Sequence, residues 1–152
     1  MNTRTYTLTF YDIPPSEIRG NSRAIHPVKR KINRERRDVA RMIGLDAKDK
    51  DEPINKVEVS YYFYHIREID LDNLIIGMKS TMDGIIDSGI MLDDKPSLME
   101  YGKIKFYKLK MCTGCNKETS YMGDSHKNPK YCLKKRKEIK TIVELKEITW
   151  NT

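Results

Sequence analysis

Apolar and polar positions alternate in strand-like stretches and recur at helical spacing elsewhere, and the order of these stretches predicts the fold. Residues 5–10 (T-Y-T-L-T-F) have a period of two, which puts Tyr6, Leu8 and Phe10 on one face of a strand. Pro14-Pro15-Ser16 ends it, and residues 19–24 read as a polar loop. A helix is expected after Pro27, because proline is tolerated in a first turn, with Gly44 as its stop. Val28, Ile32, Val39, Met42 and Ile43 fall mainly on one side of it, and Lys29, Arg30, Arg34, Arg37 and Arg41 cover much of the rest. Residues 57–66 (V-E-V-S-Y-Y-F-Y-H-I) alternate at first and are then apolar on both faces, the pattern of a central strand. Tyr61, Tyr62 and Tyr64 read as sheet core rather than base-stacking groups. Residues 73–88 predict a helix with Asp72 or Asn73 as N-cap, a stripe of Ile75, Met78, Met82, Ile85 and Ile86, and Gly89 just past its end. Residues 101–109 and 139–148 read as further strands. The order is β-α-β-α-β-(insert)-β without regular βαβ repeats. It predicts one α+β domain over residues 1–152, a small mixed sheet with two main helices and a Cys/His insert between the last two strands.

Charge changes this picture. The chain has 152 residues, 34% of them charged, with a net charge of +7. Residues 17–41 carry +6 and residues 95–152 carry +8, while residues 66–94 between them carry −5. Basic flanks suit an anionic partner such as nucleic acid. An acidic centre repels phosphate unless a divalent metal bridges the two. No apolar run reaches the ~18–20 residues of a membrane span. Residues 1–9 lack the apolar core of a signal peptide, so a cytoplasmic address is expected. Three cysteines in a reducing compartment point to metal binding or plain thiols.

The acidic centre holds candidate chemistry. Asp70-Leu71-Asp72-Asn73 joins the central strand to the second helix, and in an extended segment Asp70 and Asp72 point to the same side. Two carboxylates there can share a hard cation. Lys79 follows Asp72 by two helical turns, and Asp83 lies a turn further on. Asp93-Asp94 comes after the helix, where packing against the sheet could return it to the helix start. Each piece also has an ordinary reading: a capping aspartate, a surface lysine, a turn. Order, spacing and contrast with the basic flanks favour a metal-dependent phosphodiesterase site.

From Asp70 to Pro96 (D-L-D-N-L-I-I-G-M-K-S-T-M-D-G-I-I-D-S-G-I-M-L-D-D-K-P) the chain resembles the RusA family of Holliday-junction resolvases. The matching elements are D-x-D-N, a helix with Lys79 four residues before Asp83, a small-residue turn at Ser88-Gly89, and Leu92-Asp93-Asp94. The opening strand, Pro14-Pro15-Ser16 and the basic helix also match, so the resemblance covers roughly residues 5–110 and the final strand. It implies a homodimer making Mg²⁺-dependent, paired symmetric nicks in four-way DNA junctions, with Mn²⁺ as an alternative ion. Asp70, Asp72 and Asp94 would be the metal-binding catalytic aspartates, Lys79 the essential basic partner, and Asp93 a substitute or supporting carboxylate. One departure is the spacing of Lys79 from Asp72, which is longer than in the shortest family forms; Ile75-Ile76-Gly77 would absorb it.

The resemblance does not predict the insert. Cys112-Thr113-Gly114-Cys115 followed by His126 and Cys132 gives C-x₂-C-x₁₀-H-x₅-C, four ligands suited to a structural Zn²⁺ within residues 111–133. Arg19, Arg23, Lys29, Arg30, Arg34 and Arg37, with Lys134, Lys135 and Arg136 after the insert, are candidate DNA contacts. The alternative function is a non-catalytic, zinc-stabilised nucleic-acid-binding protein on the same scaffold.

Overall fold

Alternation carries the sheet. The computed structural model describes residues 3–109 and 138–149. Strand β1 (Thr5–Phe10) buries Tyr6, Leu8 and Phe10 as its period requires. Helix α1 (His26–Ala47) follows, then β2 (Val57–His65), helices α2 (Leu71–Gly77) and α3 (Lys79–Asp87), and strands β3 (Met99–Lys108) and β4 (Lys140–Glu147). The four strands form one mixed sheet in the order β1-β4-β2-β3. β4 is antiparallel to both β1 and β2, while β2 and β3 are parallel. β2 is therefore central, as its two-sided apolar run predicts. The result is the expected α+β class. No helix among the described residues is long and apolar enough to cross a membrane.

Val57, Val59, Tyr61 and Phe63 face the helices and are fully buried. Tyr62 and Tyr64 point the other way. Their rings stack on Tyr107 of β3, at centroid distances of 6.5 and 4.8 Å, and Lys140 lies over Tyr64. Only Tyr61 of the three expected core tyrosines is core, because a period of two splits neighbours between faces. β3 carries a bulge: Val59 pairs with Tyr101 and Tyr61 with Ile104, so Gly102 and Lys103 oppose Ser60 alone. Ser60 Oγ accepts the Lys103 N–H at 3.0 Å, and a Cβ on Gly102 would meet that oxygen at 2.5 Å.

Both helices depart from expectation. α1 does not stop at Gly44 but runs through it to Ala47. Ile43 packs half-buried against the core as expected, but the most buried positions of α1 are small residues. A Cβ on Gly44 would meet Ser88 Oγ at 2.3 Å, and one on Gly84 would meet the Arg37 carbonyl oxygen at 2.2 Å and Ala40 Cβ at 2.7 Å. Ala40 and Gly44 of α1 thus lie directly against Gly84 and Ser88. That closeness turns Val28, Val39, Met42 and Leu45 outward, and all four are exposed. The helix expected over residues 73–88 is broken at Met78, which caps α2 and opens α3.

Arg4 ties the sheet edge together. Its guanidinium donates to both Glu147 carboxylate oxygens, at 3.1 and 2.9 Å, and to the Glu52 and Pro53 carbonyls. This holds the Glu147 carboxyl below the ordinary glutamate value of 4.5. A lowered folded-state pKa stabilises fully above 4.5, and that stability is lost as pH falls through the lowered value. Arg4→Ala is expected to cost about 1.5–3 kcal/mol at pH 7, the range for hydrogen bonds to charged groups. Urea denaturation of both proteins between pH 7 and 3 should show the gap narrowing only on the acid side.

Candidate active site

Strand β2 delivers the acidic segment. After His65 the chain turns, with the Arg67 N–H donating to His65 Nδ1 at 3.0 Å, and Ile66 and Leu74 are buried on either side of the turn. Asp70 is therefore the N-cap of α2 and Asp72 lies in its first turn, both exposed. This corrects the extended reading of the pair: Asp72 is already helical, so strand alternation does not align it with Asp70. Asp70 makes no side-chain cap bond, and neither carboxylate has an ion-pair partner among the described residues.

The break at Met78 lies beside a tertiary contact. A Cβ on Gly77 would meet Pro14 Cβ at 2.5 Å, so the loop after β1 packs against α2 where only glycine fits. The Met78 N–H is shared between the Ile75 and Ile76 carbonyls, and the chain restarts as α3 at Lys79. The break falls at Met78, just after the Ile75-Ile76-Gly77 stretch, which itself remains helical.

Lys79 lies between two carboxylates. Its Nζ is 2.6 Å from Asp94 Oδ2 and 3.0 Å from Asp83 Oδ1. The hydrogen bond to Asp94, then that to Asp83, raises its pKa above the ordinary lysine value, so the ammonium persists at any physiological pH. Of the returning acidic pair, Asp94 thus reaches Lys79 at the start of α3, not the start of the helix expected at Asp72, where Asp70 and Asp72 lie. Asp93 turns aside to Lys95 at 3.0 Å and accepts the Asp94 N–H at 2.8 Å. The Lys95 hydrogen bond, more than the Asp94 N–H, lowers the Asp93 pKa. Among the described residues, no three His, Cys, Asp or Glu side chains are gathered as a metal-binding group. The donor chemistry of Asp70, Asp72 and Asp94 is nevertheless carboxylate oxygen throughout, which fits a hard divalent cation.

The basic helix borders the same place. Asn33, Arg34 and Arg37 of α1 face Lys79, Ser80 and Asp83 of α3 across a groove of about 450 Å³. Arg34 is exposed, whereas Arg37 forms a two-point ion pair with Asp87 at 2.5 and 2.9 Å. Arg23 and Arg30 are exposed. Lys29 reaches the Ser22 carbonyl at 3.3 Å. Arg19 is half-buried and donates to the Pro14 carbonyl at 2.7 Å, which makes it a brace for the loop. Cys112, Cys115, His126, Cys132, Lys134, Lys135 and Arg136 lie outside the described residues.

Sequence reasoning missed the inner wall of the site. Behind Lys79 and Asp94 opens a pocket lined by Tyr61 and Tyr101. Their rings meet edge to face at 5.8 Å. The Tyr61 hydroxyl is buried and, among the described residues, has no hydrogen-bond partner of good geometry. Burial first, then the adjacent Tyr101 and Asp94, holds its pKa well above the ordinary tyrosine value, so it remains a proton donor. Nothing local announces this pocket, since it is created by β2–β3 register and the packing of α2 and α3. No protein-family model matches the sequence, and no curated protein matches it.

Proposed function

We propose that the chain is a Mg²⁺-dependent, structure-selective endodeoxyribonuclease that nicks four-way DNA junctions symmetrically, acting as a homodimer. The resemblance of residues 70–96 to the RusA family supports this reading. The observation that carries it is the Lys79 ammonium, held between Asp83 and Asp94 beside a groove bordered by Arg34 and Arg37. Asp70, Asp72 and Asp94 are the residues to hold Mg²⁺, which when bound supplies neutralisation of the scissile phosphate and an activated water.

The chain's own groups divide the remaining work. Lys79, its ammonium held by Asp94 and Asp83, serves as a cationic donor to the phosphoryl oxygens. Asp83, one helical turn from Lys79, orients it. Arg34 neutralises neighbouring phosphates and sets register, with Arg37 beside it held in its ion pair with Asp87. Tyr11, Val39 and Met42 leave exposed apolar surface for a second copy, and a two-fold dimer yields paired nicks by symmetry.

A synthetic four-way junction tests the reading. Wild-type protein with Mg²⁺ should release paired, symmetric nicks. Junction binding without nicking in either Mg²⁺ or Mn²⁺ would instead establish the non-catalytic binding protein. For the insert, Cys112, Cys115, His126 and Cys132 hold one structural Zn²⁺ per chain. Metal analysis should find about one zinc per chain in the wild type and none in Cys112→Ser/Cys115→Ser. Unchanged zinc in the double variant would exclude this ligand set.

A further inference from the structure

The pocket behind Lys79 is a poor fit for phosphate alone. It encloses about 280 Å³, less than the 300–1,000 Å³ typical of pockets for drug-sized ligands. Ile75, Met82 and Met99 form apolar walls. Lys79, with 63% of its side chain exposed, stands at the mouth, and Tyr61, wholly buried, stands at the floor. Burying a phosphate against such walls is costly. A planar group with apolar faces and a hydrogen-bonding edge suits them.

Two observations identify that group. Tyr61 lines the pocket, and its buried hydroxyl has no hydrogen-bond partner among the described residues, whereas native proteins leave few buried polar groups unsatisfied. Tyr101, half exposed, presents a ring at the pocket wall. An aromatic face beside a buried donor is the combination that grips an unstacked nucleobase. Bases at a branch point have already lost part of their stacking, which lowers the cost of extruding one.

We infer that this pocket receives one unstacked nucleobase next to the scissile phosphate, stacked on Tyr101, with the Tyr61 hydroxyl donating to an acceptor on its edge. Tyr61 is then a specificity-determining residue and Tyr101 its stacking platform. The inference rests on the nuclease reading for the position of the phosphate at Lys79. The pocket's preference for a base can be measured without cleavage.

The experiment uses full-length protein and junctions carrying each of the four bases, or an abasic nucleotide, at each position flanking the crossover. Affinity is measured in Ca²⁺ and nicking in Mg²⁺. The wild type should favour one base at one position and lose at least about fivefold in affinity or nicking when that base is absent. Tyr61→Phe should reduce the preference among bases to within about twofold while still distinguishing a base from an abasic site. Tyr101→Ala should lose the distinction between base and abasic site. Tyr61→Phe removes only a buried hydroxyl that has no partner among the described residues, so its thermal unfolding should match or exceed that of the wild type, which separates recognition from misfolding. A Tyr61→Phe variant that keeps the wild-type preference overturns the inference, as does wild-type indifference to abasic sites. If the wild type discriminates in affinity but never nicks, the nuclease reading fails and the base pocket stands.

Discussion

Asp72→Asn should lower junction nicking by at least about 10²–10³-fold while leaving junction affinity equal or slightly tighter. Asn preserves the shape of the side chain and removes its charge. Asp72 is exposed and has no ion-pair partner among the described residues, so no native contact is broken. Its only structural contribution is an acidic group in the first turn of α2, worth about 0.3–1 kcal/mol. Loss of an anionic charge facing DNA favours binding, not the reverse. Asp51→Asn is the matched control: it removes an exposed carboxylate in the loop after α1 that has no ion-pair partner among the described residues, and should change nicking less than a few-fold. Quantitative gel assays of both variants, with affinity measured in Ca²⁺, decide the matter. Wild-type nicking by Asp72→Asn would remove that residue from the metal site.

Gly84→Ala is expected to destabilise the protein by about 1–3 kcal/mol, against the sign that helix propensity alone predicts. In an exposed helix, replacing Gly by Ala gains about 1 kcal/mol. Here the new methyl would sit 2.2 Å from the Arg37 carbonyl oxygen, a backbone atom, so α1 itself must move. Denaturant unfolding should show the loss. At about 2–4 °C per kcal/mol for a chain of this size, the melting temperature should fall by several degrees. The displacement also widens the groove that sets Arg34 and Arg37 against Lys79, so junction affinity should weaken with stability. An increase in melting temperature would show that α1 and α3 are not in backbone contact there.

These two sites show how legibility differs between fold and function. The strands were readable because burial on one face imposes alternation; β1 obeys it residue by residue, and β2 departs from it at the buried Ser60 opposite the bulge. The second helix was readable as a helical stripe but not as two pieces. Its interruption lies beside the contact of Gly77 with Pro14, some sixty residues upstream. α1 misled more deeply. Its large apolar residues, Val39 and Met42, are those left outside, because the helix pair selects small residues at its closest approach.

The candidate site divides in the same way. Lys79 and Asp83 come together by helical spacing alone, four residues apart, and that contact is fully local. Asp94 reaches Lys79 only because α3 packs back and the chain turns into β3.

Local sequence by itself determined the element types, the centrality of β2, the α+β class and the Lys79–Asp83 pair, since each follows from a short-range period. Tertiary structure alone decided the strand order β1-β4-β2-β3, the small residues at the most buried positions of α1, the partner Asp94, and the pocket beneath Tyr101 with the buried Tyr61 at its floor. The physical reason is distance along the chain. Contacts within a few residues are encoded by spacing, whereas those joining distant segments are chosen by which surfaces can approach without clash.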